Sequence, residues 1–187
     1  MNLFKGYLRW RHSKGFGVHS PFAYRFLTDV LNPGKYGYYA YNDLEYDPSF
    51  AIENGRDLAM ARFLVRLAVF LNVKRIIAYS EQIKGLPARN AAKALKLEFS
   101  HVQSGIRDQF GPKDLIVAES LQPSADMPNA IREGASILAL NPPRELRNLL
   151  SEPLERGLLF SGKNRMLLIP SDRMEYVAYD ILFPIKR

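Results

Sequence analysis

Short apolar runs alternate with amphipathic segments through the middle of the chain. The runs lie at 75–80, 97–102, 114–119 and 135–140 and are typical of strands buried in a parallel sheet. Helical spacing predicts a long helix from Asn54 or Asp57 to near Asn72, and further helices at 85–97, 128–133 and 143–155. Strands that alternate with helices in this way favour right-handed β-α-β units.

The C-terminal part has the pattern of a hairpin and a last strand. Gly157–Phe160 and Arg165–Pro170 are separated by turn residues, which predicts two antiparallel strands. A last strand is expected at 177–183, where an outward Tyr179 alternates poorly with inward Ala178 and Asp180 and leaves the register open. The segment 157–163 matches half of a phosphate-binding loop, but Asn164 and a strand follow it, so we interpret it as a hairpin turn.

Two helices and an irregular segment are expected before the long helix. The first, 2–12, has Leu3, Tyr7 and Leu8 on the side that would pack against the domain or a second subunit. The second runs from Pro21 to Leu31, with Ser20 as its N-cap. The tyrosine-rich stretch 36–50 has no helical or strand periodicity.

These elements predict one α/β domain over 1–187. Its fold class is a Rossmann-like, three-layer sandwich with a mostly parallel sheet and antiparallel strands near the C-terminus. Residues 1–53 form a helical, tyrosine-rich extension, and residues 54–187 form the α/β core.

Composition excludes several classes of function. Of the 187 residues, 47% are hydrophobic, which is typical of a packed domain. The chain has no cysteine, and this excludes disulfides, thiolate metal sites and cysteine catalysis. Neither a membrane span nor a secretory signal is predicted, so we expect a cytoplasmic protein. His12, His19 and His101 have no metal-binding spacing, and no metal is predicted.

The net charge of +7 is uneven along the chain. It is +4 over 1–30, −3 over 31–53, +7 over 54–113 and −1 over 114–187. We interpret Arg56, Arg62 and Arg66 as the solvated face of the long helix. A nucleic-acid-binding surface that combines these arginines with residues 1–14 is the alternative.

The N-terminal helix mixes basic and aromatic residues. Arg9, Trp10 and Arg11 are flanked by Lys5 and Lys14, as in segments that bind nucleic acids or membrane surfaces. A helix that packs on the domain, or that forms a homo-oligomer or binds a protein partner, is the favoured interpretation.

Ligands of open parallel sheets bind beyond the carboxyl ends of the strands, where the strand order reverses. The residues expected there are Tyr79, Ser80, Glu81, Gln103, Ser104, Glu119, Ser120 and Asn141. Among them, Glu119 is the acidic residue placed directly at a strand end, and a solvated carboxylate is its alternative role. Tyr38, Tyr39 and Tyr41 either line a substrate pocket or cover the edge of the sheet.

The segment Gly15–Phe26, which contains His19-Ser20-Pro21-Phe22, resembles the H-S-P-F segment of bacterial class I S-adenosylmethionine-dependent O-methyltransferases. The order of the predicted elements is similar as well. The resemblance implies a methyltransferase-type sheet whose last strand runs antiparallel to its neighbours. It also implies a cofactor loop after the first strand, at Tyr79, Ser80, Glu81 and Gly85.

The chain departs from that family in three places. Ala78 and Ser80 stand where the family has an acid and the first glycine, and residues 100–103 lack the acid that binds ribose. Residues 103–113 are too few for the family's helix, strand and helix, which predicts one strand fewer.

We therefore expect a methyltransferase-like scaffold that has lost S-adenosylmethionine binding and acts in binding or assembly, without a cofactor. An active small-molecule O-methyltransferase with an atypical loop and Glu119 near the cofactor is the first alternative. A basic nucleic-acid-binding module is the second.

Overall fold

The computed structural model describes residues 3–33, 38–79, 86–102, 109–119, 126–152 and 154–183. The helices are α1 (Leu3–Ser13), α2 (Pro21–Arg25), a π-helix (Phe26–Leu31), α3 (Tyr39–Tyr46), α4 (Gly55–Leu71), α5 (Leu86–Ala94), α6 (Met127–Arg132) and α7 (Arg144–Ser151). The strands are β1 (Arg75–Tyr79), β2 (Glu98–Val102), β3 (Asp114–Glu119), β4 (Ser136–Leu140), β5 (Arg156–Ser161), β6 (Arg165–Glu175) and β7 (Val177–Asp180).

The strands form one sheet in the order β2-β1-β3-β4-β6-β5-β7. The strands β1 to β4 are parallel, and β6 is antiparallel to both β4 and β5. The structure therefore confirms an α/β fold with a mostly parallel sheet, compatible with a Rossmann-like fold. The strand order reverses between β1 and β3, because the chain places β2 on one side of β1 and β3 on the other.

The family resemblance implies that the last strand runs antiparallel to its neighbours, and this prediction is wrong. The last strand, β7, pairs parallel with β5. Its position follows from the hairpin: β6 already has β4 and β5 as neighbours, so the free edge that remains for β7 belongs to β5. At the opposite edge, β2 pairs with β1 alone within the described ranges, and part of the segment expected to lack a strand, 103–108, lies outside them.

Two apolar layers cover the two faces of the sheet. One contains α4, α5, α3, α2 and the π-helix against strand residues such as Ala78 and Val117. The other contains α6 and α7 against residues such as Tyr79 and Ile116. Alternate residues of each central strand enter opposite layers, which explains the continuous apolar runs in the sequence. The N-terminal residue Phe26 packs in the first layer, its ring 4.3 Å from that of Phe160.

Capping explains where the two best-predicted helices begin. The Ser20 side chain accepts a hydrogen bond from the backbone N–H of Ala23, and Pro21 occupies the first turn of α2. Helix α4 begins after Asn54 and ends at Asn72, which adopts a left-handed conformation with φ of +53°.

The prediction that the tyrosine-rich stretch is irregular is wrong. The stretch contains helix α3. Ala40 and Leu44 are buried four residues apart, which is the helical periodicity that the surrounding tyrosines obscure. The sequence leaves the register of the last strand open, and in the structure Tyr179 points inward and stacks on Phe160, while Ala178 and Asp180 are exposed.

The solvated position predicted for Arg66 is wrong: Arg66 is buried, and Val30 and Tyr41 accept its hydrogen bonds. Tyr7 does not pack on the domain, because it faces outward from α1 and polar residues of that helix contact the domain instead. Packing of this face on a second subunit stays a prediction. No helix in the described part of the chain is long and apolar enough to cross a membrane.

Candidate functional site

A cavity of about 310 Å³ lies at the carboxyl edge of the sheet, beside the point where the strand order reverses. It is lined by Arg56, Asp57, Ala59, Met60, Pro87, Glu119 and Arg165. Helices α4 and α5 provide one wall, the end of β3 provides Glu119, and the start of β6 provides Arg165. This is the location at which ligands of open parallel sheets bind.

The N-terminus of α4 positions the first pair of charged residues. The Asn54 side-chain oxygen accepts hydrogen bonds from the backbone N–H groups of Arg56 (2.9 Å) and Asp57 (3.1 Å). The Asn54 amide donates a further bond to Asp57 Oδ2 at 2.8 Å. The cap therefore holds the Asp57 carboxylate as well as the backbone of the first turn.

Glu119 continues the alternation of β3 that places Leu115 and Val117 toward α4. Burial raises the pKa of the Glu119 carboxyl, and the neighbouring charge of Asp57 raises it further. A carboxyl in this setting holds a proton at higher pH than an exposed glutamate does, which suits it to donate as well as accept hydrogen bonds.

Arg165 brings a cation to the same cavity. Its Nη1 donates a hydrogen bond to the Phe183 carbonyl at 2.5 Å, and this contact fixes the side chain. Burial lowers the pKa of Arg165, although an arginine remains charged near neutral pH. The cavity thus combines two carboxyl groups, Asp57 and Glu119, with the guanidinium groups of Arg56 and Arg165.

The floor of the site is closed. Beneath Glu119, between α4, α5 and the sheet, the free space is about 10 Å³, roughly what one water molecule occupies. Ala78, Val117 and Leu140 form part of its lining, and Ala78 is 2% exposed. A ligand in the larger cavity would therefore rest above the apolar floor rather than penetrate between the helices and the strands.

The structure brings Glu119 to this cavity, but not the other described strand-end candidates. Tyr79 is buried in the layer of α6 and α7, on the opposite face of the sheet. The backbone N–H of Asn141 donates a hydrogen bond of 2.7 Å to the backbone carbonyl of Asn164, in a turn beside β6. Ser80, Glu81 and Gly85 lie outside the described residues, as do Gln103, Ser104 and Ser120.

The tyrosine candidates lie on and before α3, and none of them lines the cavity. Tyr38 and Tyr41 have ring centroids 5.5 Å apart, and the Tyr41 hydroxyl accepts a hydrogen bond from Arg66. Tyr39 is 95% exposed. Their predicted role in substrate binding stays a prediction.

Sequence reasoning missed Asp57, Arg56 and Arg165 as site residues. Asp57 and Arg56 have a detectable signal, because a capped helix that leads directly into the first strand begins above the carboxyl edge. Arg165 is the first residue of β6. Because β6 runs antiparallel to β4, it begins beside the residue at which β4 ends. That relation required knowing that β6 inserts next to β4.

The histidines remain separate from the cavity. His12 Nδ1 donates to the Asp180 carbonyl at 3.1 Å, and His101 lies on the edge strand β2. In the parts of the chain that the structure describes, no three acidic or histidine side chains gather as metal ligands would.

Comparisons with protein-family models, with curated proteins and with solved structures found no match to this chain.

Proposed function

We propose that this protein is a methyltransferase-like scaffold that does not bind S-adenosylmethionine and acts by binding a small charged ligand at the carboxyl edge of its sheet. The observation that carries the proposal is the chemistry at the end of β1. Ala78 is buried there beside Val117, with about 10 Å³ of free space, where a cofactor-binding scaffold of the family resembled would need a carboxylate.

The second strand supports the same conclusion. The residues that end β2 are His101 and Val102, neither of which accepts two ribose hydroxyls as a carboxylate does. Within the described residues, the ends of β1 and β2 both lack the acid that the resemblance implies, and this supports the proposed loss of cofactor binding. The charged groups are found instead above β3 and β6, at Glu119 and Arg165.

The cavity favours a ligand that carries both signs of charge. Asp57 and Glu119 can receive an ammonium group, while Arg56 and Arg165 can receive a carboxylate. A volume of about 310 Å³ accommodates a molecule of the size of an amino acid. A small zwitterion is therefore the ligand class that this proposal specifies.

Isothermal titration calorimetry tests both parts of the proposal. We expect no heat of binding with S-adenosylmethionine or S-adenosylhomocysteine, and binding of at least one free amino acid that Glu119→Gln or Arg165→Met weakens at least tenfold. Micromolar binding of either cofactor form would contradict the first part. If no free amino acid and no amino-acid amide binds, the second part of the proposal is contradicted.

An active O-methyltransferase is the second candidate, and the position of Glu119 favours it. This carboxyl lines both the larger cavity and the small space below it, at the end of the strand beside β1. Its raised pKa suits proton exchange with an acceptor hydroxyl. Binding of S-adenosylhomocysteine that is weakened in Glu119→Gln would select this candidate.

The nucleic-acid-binding alternative has less support. Arg62 forms an ion pair with Glu45 and lies over the Tyr41 ring, and Arg66 is buried. These side chains are engaged within the chain, so they do not provide a row of cations for phosphates.

A further inference from the structure

Helix α1 turns its polar side toward the domain. Arg9 Nε donates to Asp180 Oδ2 at 2.8 Å, and the ring of His12 donates to the carbonyl of the same residue. The Ser13 hydroxyl accepts a hydrogen bond of 2.7 Å from the backbone N–H of Leu182. These contacts fix the rotation of α1 about its own axis.

Aromatic side chains consequently face outward. Tyr7, Trp10 and Phe16 are 54%, 46% and 56% exposed. The Tyr7 and Trp10 rings stack with their centroids 6.1 Å apart, and the Arg11 guanidinium lies 5.9 Å from the ring centres of both Tyr7 and Phe16. We call Tyr7, Trp10, Arg11 and Phe16 the aromatic patch.

A contiguous exposed aromatic surface of this kind marks an interaction site. The surrounding sequence is cationic: residues 1–30 carry a net charge of +4, and the nearby Lys14 is exposed. We propose that the aromatic patch docks on an anionic lipid surface. Tryptophan and tyrosine partition to the headgroup level of a bilayer, and arginine and lysine attract anionic lipids.

The geometry disfavours two other occupants. A second copy that docked patch to patch would bring two Arg11 side chains and their cationic surroundings together. Stacking of a nucleic-acid base on Tyr7 is disfavoured, because Trp10 stacks on this ring and Arg11 also lies over it. A lipid surface requires neither a neutral patch nor open ring faces.

The protein carries its own reporter, because Trp10 is its one tryptophan. The full chain is titrated with vesicles of phosphatidylcholine alone and with vesicles that also contain phosphatidylglycerol. With the anionic vesicles we expect a blue shift of Trp10 emission, protection of Trp10 from acrylamide quenching and co-sedimentation of the protein. With vesicles of phosphatidylcholine we expect none of these changes. High salt should weaken this binding, because the attraction is in part electrostatic.

Charge-matched variants separate docking at the patch from attraction by net charge. We expect Arg11→Gln to weaken vesicle binding about fivefold, since a cation at an anionic surface contributes about that factor. Arg173→Gln removes the same charge from a side chain that is 90% exposed on β6, and it should bind as the native protein does. Lys14→Gln provides a second patch-side variant, and circular dichroism verifies that each variant is folded.

Four outcomes would overturn the proposal. They are an unchanged Trp10 emission with anionic vesicles, equal weakening by Arg11→Gln and Arg173→Gln, a vesicle-independent blue shift that grows with protein concentration, and tighter binding to an oligothymidylate than to anionic vesicles. The third outcome would assign the patch to a second copy, and the fourth to nucleic acid.

Discussion

Arg66 Nη1 donates a hydrogen bond of 2.8 Å to the Tyr41 hydroxyl, so a buried cation of α4 is linked to the helix that precedes it. Its Nε donates a second bond, also 2.8 Å, to the Val30 carbonyl at the end of the π-helix. A buried charge requires such partners. Arg66 therefore joins three helices of one layer, and Tyr41 has a structural role that its sequence position did not reveal.

Removal of the Tyr41 hydroxyl tests that role. Tyr41→Phe leaves one guanidinium nitrogen of Arg66 without this acceptor, and we expect the free energy of unfolding to fall by about 1–2 kcal/mol. Urea denaturation at neutral pH measures the change. Tyr39→Phe removes a hydroxyl from a neighbouring, almost fully exposed ring and should change the stability by less than about 0.5 kcal/mol. Equal effects of the two substitutions would refute the structural role.

A part-buried ion pair stabilises the sheet at its amino edge. Asp114 at the start of β3 accepts hydrogen bonds from Arg75 Nη2 at 2.7 Å and from the Gly111 N–H at 2.8 Å. Arg75 begins the neighbouring strand β1, so the pair connects the two strands at the point where the strand order reverses. We expect Asp114→Asn to lower the free energy of unfolding by about 2–3 kcal/mol, because it removes the carboxylate charge that attracts the part-buried guanidinium of Arg75.

Thermal and urea unfolding of Asp114→Asn measure this loss. Asp172→Asn is the matched control, since its carboxylate is 92% exposed and 4.0 Å from Arg173, a geometry that contributes little. A loss for Asp114→Asn no larger than that of the control would mean that the pair does not stabilise the sheet.

Much of the α/β core could be predicted from the sequence because local signals and tertiary packing agree there. The apolar run at 114–119 coincides with β3, and the caps Ser20 and Asn54 begin the helices that follow them. The turn at 161–164 joins β5 and β6 as a hairpin, as its residues predict.

The errors arise where tertiary contacts decide the orientation. Arg66 occupies a polar position of an amphipathic pattern, but Tyr41 and Val30 satisfy its charge inside the fold. Tyr7 lies outward because Ser13 and Asp180 fix the opposite side of α1. The candidate site was half predicted for the same reason: Glu119 follows from strand position alone, whereas Arg165 depends on the insertion of β6 next to β4.

Gly157 lies in the segment that resembles half of a phosphate-binding loop, and the structure gives it a different role. Its φ is +137°, and an added Cβ would lie 2.5 Å from the Ile169 carbonyl oxygen of the neighbouring strand. Gly157→Ala should therefore lower the free energy of unfolding by at least about 2 kcal/mol. Chemical denaturation measures the loss, and Gly55→Ala, where a Cβ meets no atom within 4 Å, should be close to neutral. A Gly157→Ala protein with the same free energy of unfolding as the native protein would contradict the close approach of the two strands.

The raised pKa of Glu119 makes the stability of the fold depend on pH. Burial and the charge of Asp57 both favour the protonated carboxyl in the folded state, so this state binds the proton more tightly than the unfolded chain does. The stabilisation is complete below the ordinary pKa of a glutamate and is lost as the pH rises through the raised pKa. Because the group is half-exposed, solvent screening limits the effect to less than about 1 kcal/mol.

Glu119→Gln, which resembles the protonated form, should therefore be more stable than the native protein at pH 7.5, and the two should converge near pH 4. Urea unfolding across that range measures the difference. Glu98→Gln, an exposed position at the start of β2, controls for the loss of one negative charge. In the native protein, ¹³C NMR titration of the Glu119 carboxyl should give a midpoint that Asp57→Asn moves toward acid. A stability difference that is constant with pH would show that the Glu119 carboxyl titrates alike in the folded and unfolded chains, and would remove the basis for proton exchange at this site.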